Sequence, residues 1–201
     1  MSRSILAFAV SLAVAATSTF AAAQTSESEG GARFTPATGF MLQGRVLGYV
    51  GGSSGSAIAL YAPAGPGAAI GYRGRGWSLG FSPSYTSVSL SSPFAPGPEV
   101  GAFGLTAMIE VSVAHALAGR AELNLLGGGG VALYTEGDID PGIGAFFGLG
   151  GRYWVSRALG LGVSFGESYS STTASSSGGG RVTVGTFATF GAIDVTFVLG
   201  G

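Results

Sequence analysis

The residues of this chain that could take part in chemistry are few. Gly51 to Gly55 match the pattern G-x-S-x-G, which in hydrolases exposes a nucleophilic serine between a strand and a helix, but no helical pattern follows them. A chain with 38 glycines also matches such a pattern by chance. His115, the only histidine, stands beside a short turn that we place at the opposite end of the strands, so a Ser–His nucleophile pair is not expected. We predict no catalytic residue and expect that the protein is not an enzyme.

An acidic segment offers a second candidate site. Glu136, Asp138 and Asp140 lie between Thr135 and Pro141, and their carboxylate oxygens could bind Ca²⁺ or Mg²⁺. Their spacing lacks the full set of positions of an EF-hand loop, so we interpret the segment as a solvated acidic loop. The chain contains no cysteine, which excludes thiolate metal sites and disulfides. We therefore expect neither a bound metal nor a cofactor.

The other polar residues alternate with apolar ones, which indicates β-strands with two different faces. From Gly142 to Tyr169, large apolar residues occupy every second position, and glycine, serine and Arg152 stand between them. The pattern breaks at Ser156 to Ala158 and then resumes, which predicts a β-hairpin. A soluble sheet would expose a face rich in charged residues, whereas here the face opposite the bulky residues is small and nearly uncharged. We therefore predict that the bulky face contacts lipid.

Similar alternation predicts eight strands in all. We place strands one to five near residues 40–50, 68–73, 77–86, 103–113 and 122–133; the hairpin supplies strands six and seven, and strand eight runs over 182–199. Long loops are predicted at 51–67, 91–98, 135–141 and 170–180, and tight turns at 74–76, 116–120 and 156–158. We expect a β-bulge at Pro83, which cannot donate to a ladder, and another within 182–187, where the alternation loses phase.

Composition favours a membrane protein without membrane helices. Of the 201 residues, 46% are hydrophobic and only 9% are charged, and the mean hydropathy is +0.48. The long charge-free runs 46–72 and 76–98 are rich in glycine, serine and proline, so neither reads as a spanning helix. A closed β-barrel is the remaining way to satisfy every backbone group in lipid. The net charge of −1 gives no electrostatic reason to expect nucleic acid.

The N-terminus is typical of an exported protein. Arg3, the apolar stretch from Ile5 to Ala16 and the small residues at 21–23 predict a cleaved signal peptide over residues 1–23. Residues 24–38 are polar and aperiodic, and we interpret them as a flexible segment. The barrel would then occupy residues 39–201.

Eight strands joined alternately by long loops and short turns give the chain its family resemblance. It resembles the small eight-stranded outer-membrane β-barrel proteins of Gram-negative bacteria, the OmpA- and OmpX-type barrels. The resemblance implies an all-β, eight-stranded antiparallel up-and-down transmembrane β-barrel, located in the outer membrane with its long loops outside the cell. Such barrels usually end on an aromatic residue, whereas here Phe197 is followed by four further residues.

The inward positions carry the polar residues that a barrel interior would have to satisfy. Those positions are Gln43, Arg45, Glu110, Glu122, Asn124, Arg152 and Asp194. Because an unpaired buried ion costs several kcal/mol, we expect one network in which Arg45 and Arg152 pair with the three carboxylates. Side chains just fill an eight-stranded interior, so we expect no open pore; the alternative is that the network gates a narrow channel.

Outward aromatic residues are expected at the two edges of the lipid-facing band. We assign this role to Trp77, Tyr85, Tyr153 and Phe197; Trp77 and Tyr85 would stand about 20 Å apart along the membrane normal.

These features favour a structural or surface-interaction role. The expected partners are outer-membrane lipid and an unidentified extracellular molecule at the long loops, with the protein a monomer. The alternative is an exported, soluble, lipocalin-like β-barrel that binds an apolar ligand.

Overall fold

The chain closes into one antiparallel β-barrel. A computed structural model describes residues 33–53, 59–91, 99–135, 139–175 and 181–200. The eight strands are β1 (Gly39–Ser53), β2 (Ala59–Gly74), β3 (Trp77–Ser91), β4 (Glu99–Ala116), β5 (Ala121–Tyr134), β6 (Gly142–Trp154), β7 (Leu159–Ser175) and β8 (Arg181–Leu199). Each strand pairs with the next, and β8 pairs with β1, which confirms the predicted fold class. The predicted signal peptide lies outside the described residues.

The strands are strongly tilted. A path along hydrogen-bonded partners starts at Phe40 and passes Tyr72, Leu79, Ile109, Gly127, Phe147, Glu167 and Thr189 before it reaches Val50. It therefore returns to β1 ten residues beyond its start, from residue 40 to residue 50. With about 3.3 Å per residue and about 4.8 Å between strands, this stagger tilts the strands by about 40°, and each residue advances about 2.5 Å along the barrel axis.

The two ends of the barrel differ. At the lower end, β1 begins, β8 ends and three tight turns join the strands. One of these turns contains the 3₁₀-helix Leu117–Gly119, in which Leu117, Ala118 and Gly119 all have positive φ. At the upper end, the strands extend toward residues 54–58, 92–98, 136–138 and 176–180, which lie outside the described residues. In the described part of the chain, no helix is long and apolar enough to cross a membrane.

The strands extend further at the upper end than the sequence predicts. β2 begins at Ala59, inside the predicted loop 51–67, and β7 continues to Ser175, inside the predicted loop 170–180. These parts of the two strands are rich in glycine, serine, threonine, alanine and proline and lack apolar alternation. Apolar and polar residues alternate only where the two faces of a strand contact different surroundings. Alternation therefore does not detect the part of a strand that extends past the apolar surface.

Both predicted bulges are wrong. The β3–β4 register runs unbroken through the pair Pro83–Leu105, and the β7–β8 register is constant over its whole length. Pro83 has no N–H to donate, but this breaks no pairing because no β2 residue pairs with it. An extra residue instead occurs in β2 between Ala62 and Gly65, next to Pro63, and another in β4 between Ser112 and Ala114.

Large apolar side chains cover the outside of the barrel. The most exposed are Phe147 at 69% and Ile143 and Ile193 at 67% each. Outward aromatic residues form two rings. The lower ring contains Phe40, Tyr72, Trp77, Tyr153 and Phe197, and the upper ring contains Tyr85, Phe103, Tyr169 and Phe187. Measured along the barrel axis, the register separates the rings by about 20–25 Å. We call the outward apolar surface between them the apolar belt.

Candidate functional site

A cluster of ionised side chains fills the lower half of the interior. Arg152 on β6 is its centre and is 4% exposed. Its Nη1 donates to Glu110 Oε2 on β4 at 2.7 Å, and its Nη2 donates to Glu110 Oε1 at 3.2 Å and to Asp194 Oδ1 on β8 at 3.4 Å. This bidentate geometry is the strong form of an arginine–carboxylate pair. One guanidinium thus joins three strands across the barrel.

The second buried ion pair includes an arginine that the sequence analysis left out. Arg73 on β2 donates from Nη2 to Glu122 Oε1 on β5 at 2.5 Å, and its Cζ lies 4.5 Å from the centre of the Trp154 ring. The expectation that Glu122 pairs with Arg45 or Arg152 is therefore wrong. A signal for Arg73 was present, because Ile70 and Tyr72 face outward and thereby place residue 73 inward.

Neutral side chains complete the cluster, which we call the charged plug. Ser78 Oγ donates to Glu110 Oε2 at 3.3 Å, and Thr196 Oγ1 donates to Asp194 Oδ1 at 3.0 Å. Ser112 Oγ donates to Asn124 Oδ1 at 2.8 Å. Such contacts reduce the cost of keeping the charges out of water. The structure thus places Glu110, Glu122, Asn124, Arg152 and Asp194 together inside the barrel.

Apolar side chains pack around the lower part of the charged plug. Trp154 and Met41 are fully buried, and Val198 and Ala116 are each 1% exposed. Ala116 lies near the β4–β5 turn, whereas Met41 and Val198 lie on neighbouring strands β1 and β8. These apolar side chains, which we call the apolar seal, therefore come from opposite sides of the barrel.

Residues 33–38, which the sequence assigns to a flexible segment, lie against this lower end. The Ala37 N–H donates to Arg157 O at 2.7 Å, and the Phe34 N–H donates to Ala118 O at 2.7 Å. The guanidinium of Arg120 lies 4.5 Å above the Phe34 ring. The segment runs from β1 past the β6–β7 turn to the β4–β5 turn, on the far side of the barrel, so it crosses the lower rim.

Arg45 does not join the charged plug. It faces Asp194 in the β1–β8 register, yet no carboxylate oxygen of the described residues lies within 4.0 Å of its guanidinium. Its Nη2 contacts Met108 Sδ at 3.3 Å, and its Nε has no hydrogen-bond partner. The predicted pairing of Arg45 is therefore wrong: Arg152 reaches across the interior and binds both of the nearest carboxylates. Gln43, two residues earlier, is 3% exposed, and its Oε1 lacks a donor.

The upper half of the interior contains a cavity, whereas the sequence analysis expected a filled barrel. Its volume is about 220 Å³. Gln43 and Asp194 lie at its floor, and its lining continues to Tyr134 and Thr186 near the upper end of the described strands. The described interior is therefore a cup that is closed below by the charged plug.

Aromatic side chains stand in the wall of this cavity. The rings of Phe146 and Phe190 meet edge to face with centroids 5.7 Å apart, and Tyr49 lies 6.4 Å from Phe190. Gly128 on β5 makes room for this group, because a Cβ there would come within 2.7 Å of Phe146 Cε1. The two inward aromatic residues were missed because strands six and eight were identified from their outward apolar residues.

The other candidate chemical groups remain apart. Ser53 ends β1 at the upper end, whereas His115 lies near the lower end of β4. Asp140 accepts an exposed salt bridge from Arg181, and in the described part of the chain no three potential metal ligands come together. Glu136 and Asp138 lie outside the described residues.

Comparison with known proteins identifies the fold. No protein-family model and no curated protein matches the sequence. Two similar solved structures are the outer membrane protein OprG from Pseudomonas aeruginosa and Neisserial surface protein A. OprG superimposes with a TM-score of 0.53 at 11% identity, over 82% of this chain and 99% of its own. The Neisserial protein gives 0.52 at 17% identity, over 79% of this chain and 97% of its own.

The chain has the fold of the small eight-stranded outer-membrane β-barrels. This confirms the resemblance drawn from the alternating strands and loops. At 11% and 17% identity the likeness concerns the fold alone, so the function of this outer-membrane-type barrel has to be argued from its own residues.

Proposed function

We propose that the protein is inserted in the outer membrane through its apolar belt. The single observation that supports this most is the distribution of side chains: Ile143, Phe147 and Ile193 are each about two-thirds exposed, while five ionised side chains are buried inside. The belt is about 20–25 Å high, which matches the apolar band of outer-membrane barrels. A soluble lipocalin-like barrel would reverse this arrangement, with apolar residues inside and charge outside.

We further propose that the barrel does not conduct solutes and has a structural or surface-interaction role. The charged plug, the apolar seal and the crossing segment 33–38 support a closed lower end. In this proposal the functional surface lies at the upper end, where loops contact molecules outside the cell. The protein acts as a monomer, with outer-membrane lipid as its surroundings.

Electrophoresis of an outer-membrane fraction tests the insertion. An unheated sample in SDS should run faster than a boiled one, because a closed barrel keeps its hydrogen-bonded wall in the detergent. If there is no shift and the protein is found in the periplasmic fraction, the insertion proposal is refuted and the soluble ligand-binding barrel takes its place.

Bilayer conductance tests the closed interior. We expect no current steps from the wild type, and none from Arg152→Ala, because Trp154, Met41 and Val198 still fill the lower end of the barrel. Arg75→Ala is the matched control, since Arg75 is exposed in the β2–β3 turn. Current steps in the wild type would refute a closed barrel. Steps that arise only in Arg152→Ala would instead show that the cluster gates a channel.

A further inference from the structure

The cavity above the charged plug has the features of a binding site. Its wall is largely apolar, with Leu47, Met108, Leu126, Phe146 and Phe190 among its lining residues. Serines from two strands, at positions 82 and 84 of β3 and 164 and 168 of β7, add hydroxyl groups to the same wall. A mostly apolar cavity with a few placed polar groups is the usual form of a small-molecule site.

One lining residue is a cation that lacks an anionic partner among the described residues. Arg45 belongs to this cavity, and its contacts are Met108 Sδ for Nη2 and none for Nε. Guanidinium groups present donors in a fixed fork that fits a carboxylate with two hydrogen bonds. Arg45 is half-buried at the edge of the cavity, so its guanidinium faces the space that a ligand would occupy.

The remaining interior charges do not compete for Arg45. Arg152 binds Glu110 and Asp194, and Arg73 binds Glu122, so each carboxylate of the charged plug already has a guanidinium. By the barrel register, Arg45 lies about 3 Å nearer the upper end than Asp194 and about 6 Å nearer than Glu110. A molecule that enters the cavity from above therefore meets Arg45 before it meets a carboxylate of the charged plug.

We propose that the cavity binds a small organic carboxylate with an apolar body, and that Arg45 holds its carboxylate group. The apolar part would lie against Phe146, Phe190 and Leu47. An apolar cavity of about 150 Å³ accommodates benzene. The larger volume here, about 220 Å³, leaves room for a ring of that size together with one carboxylate. This site is separate from the loop contacts proposed above and does not depend on them.

Calorimetric titration of the barrel in lipid nanodiscs tests the proposal, with benzoate as the probe and empty nanodiscs as the blank. Benzamide is the matched neutral ligand, because it has the same shape without the charge. We expect saturable binding of benzoate with a dissociation constant below about 1 mM, and binding of benzamide at least about tenfold weaker.

Two substitutions of the same type separate the role of Arg45 from that of net charge. Arg45→Gln should weaken benzoate binding at least about tenfold, whereas Arg75→Gln, which removes a charge in an exposed turn, should leave it unchanged. A Thr106→Phe variant keeps Arg45 but fills the cavity that Thr106 lines, so it should also abolish binding. Each variant is first shown to be folded by its faster migration in an unheated gel.

The outcomes are distinct. Benzoate binding that Arg45→Gln does not weaken overturns the proposal, as does equal affinity for benzoate and benzamide, or no saturation by benzoate up to about 10 mM. If Arg45→Gln fails to fold, the decision rests on Thr106→Phe: loss of binding there supports a ligand in the cavity, and unchanged binding refutes it. The titration in nanodiscs and the gel control both require an inserted barrel, so they follow a positive electrophoretic test. Absence of benzoate binding then refutes this site while membrane insertion stands.

Discussion

A substitution at the exposed residue Ile193 distinguishes a lipid-inserted barrel from a soluble one. Ile193 is 67% exposed on β8, and the register places it about 12 Å above Phe40, near the middle of the apolar belt. We therefore predict that Ile193→Arg strongly destabilises the protein in a membrane. The side chain contacts little of the protein, so its cost reports mainly on the surrounding medium.

The magnitude follows from the depth of this position. An arginine on the lipid face costs about 2–4 kcal/mol near the middle of the bilayer and about 0–1 kcal/mol near its edges. In water, exchange of a largely exposed isoleucine for arginine would change the stability by less than about 0.5 kcal/mol. Leu117→Arg is the control, because Leu117 is 53% exposed in the lower β4–β5 turn, beyond the belt. Its positive φ is equally unfavourable for both side chains.

Urea unfolding of the barrel in lipid vesicles measures both variants. The fluorescence of the two tryptophans, Trp77 and Trp154, and the folded fraction in unheated gels give independent readings. We expect Ile193→Arg to lower the free energy of unfolding by about 2–4 kcal/mol and Leu117→Arg by at most about 1 kcal/mol. If both variants match the wild type, lipid does not surround the belt, and the reasoning from the exposed apolar face fails.

Two further substitutions test the interior. Arg73→Met should lower the free energy of unfolding by about 3–5 kcal/mol, because it leaves the carboxylate of Glu122 buried and unpaired, and adding Glu122→Gln should restore much of the loss. An unchanged urea midpoint in Arg73→Met would refute the buried pair. Gly128→Ala should cost about 1–3 kcal/mol because its methyl group meets the carbonyl oxygen of Ala107 and the Phe146 ring, whereas Gly44→Ala, with no atom within 4 Å, should stay within about 0.5 kcal/mol of the wild type. Equal urea midpoints for the two glycine variants would contradict that packing.

The outward face of the barrel could be predicted from the sequence, and the reason is local. Neighbouring residues of a strand point to opposite sides. The apolar residues Leu159, Leu161 and Val163 therefore show which face of β7 is apolar, and no other strand is needed to predict it. The upper parts of β2 and β7 lack this alternation, and their extent was missed. A strand there is specified by pairing with its neighbours, such as Thr173 with Thr183, which no single segment reveals.

Pairing inside the barrel could not be predicted, because it depends on the stagger of all eight strands. Arg45 and Asp194 are direct partners in the β1–β8 register, yet Asp194 binds Arg152 from β6. Which side chains meet across the interior follows from the tilt and the accumulated register, neither of which a single strand contains. The predicted inward carboxylates are buried in the structure, but Glu122 pairs with Arg73, which lies outside the predicted network.

The same stagger explains why the interior is a cup. The inward positions hold both large side chains, such as Trp154 and Met41, and small ones, such as Gly144 and Ser168, and in sequence order these are interspersed. Once the strands are staggered, the charged side chains collect at the lower end, whereas small side chains and the aromatic pair Phe146 and Phe190 line the cavity above. Arg45 is the exception, since it stands at the boundary without a carboxylate from the described residues. A half-buried guanidinium at this boundary is placed to bind a carboxylate that enters the cavity from above, as we propose.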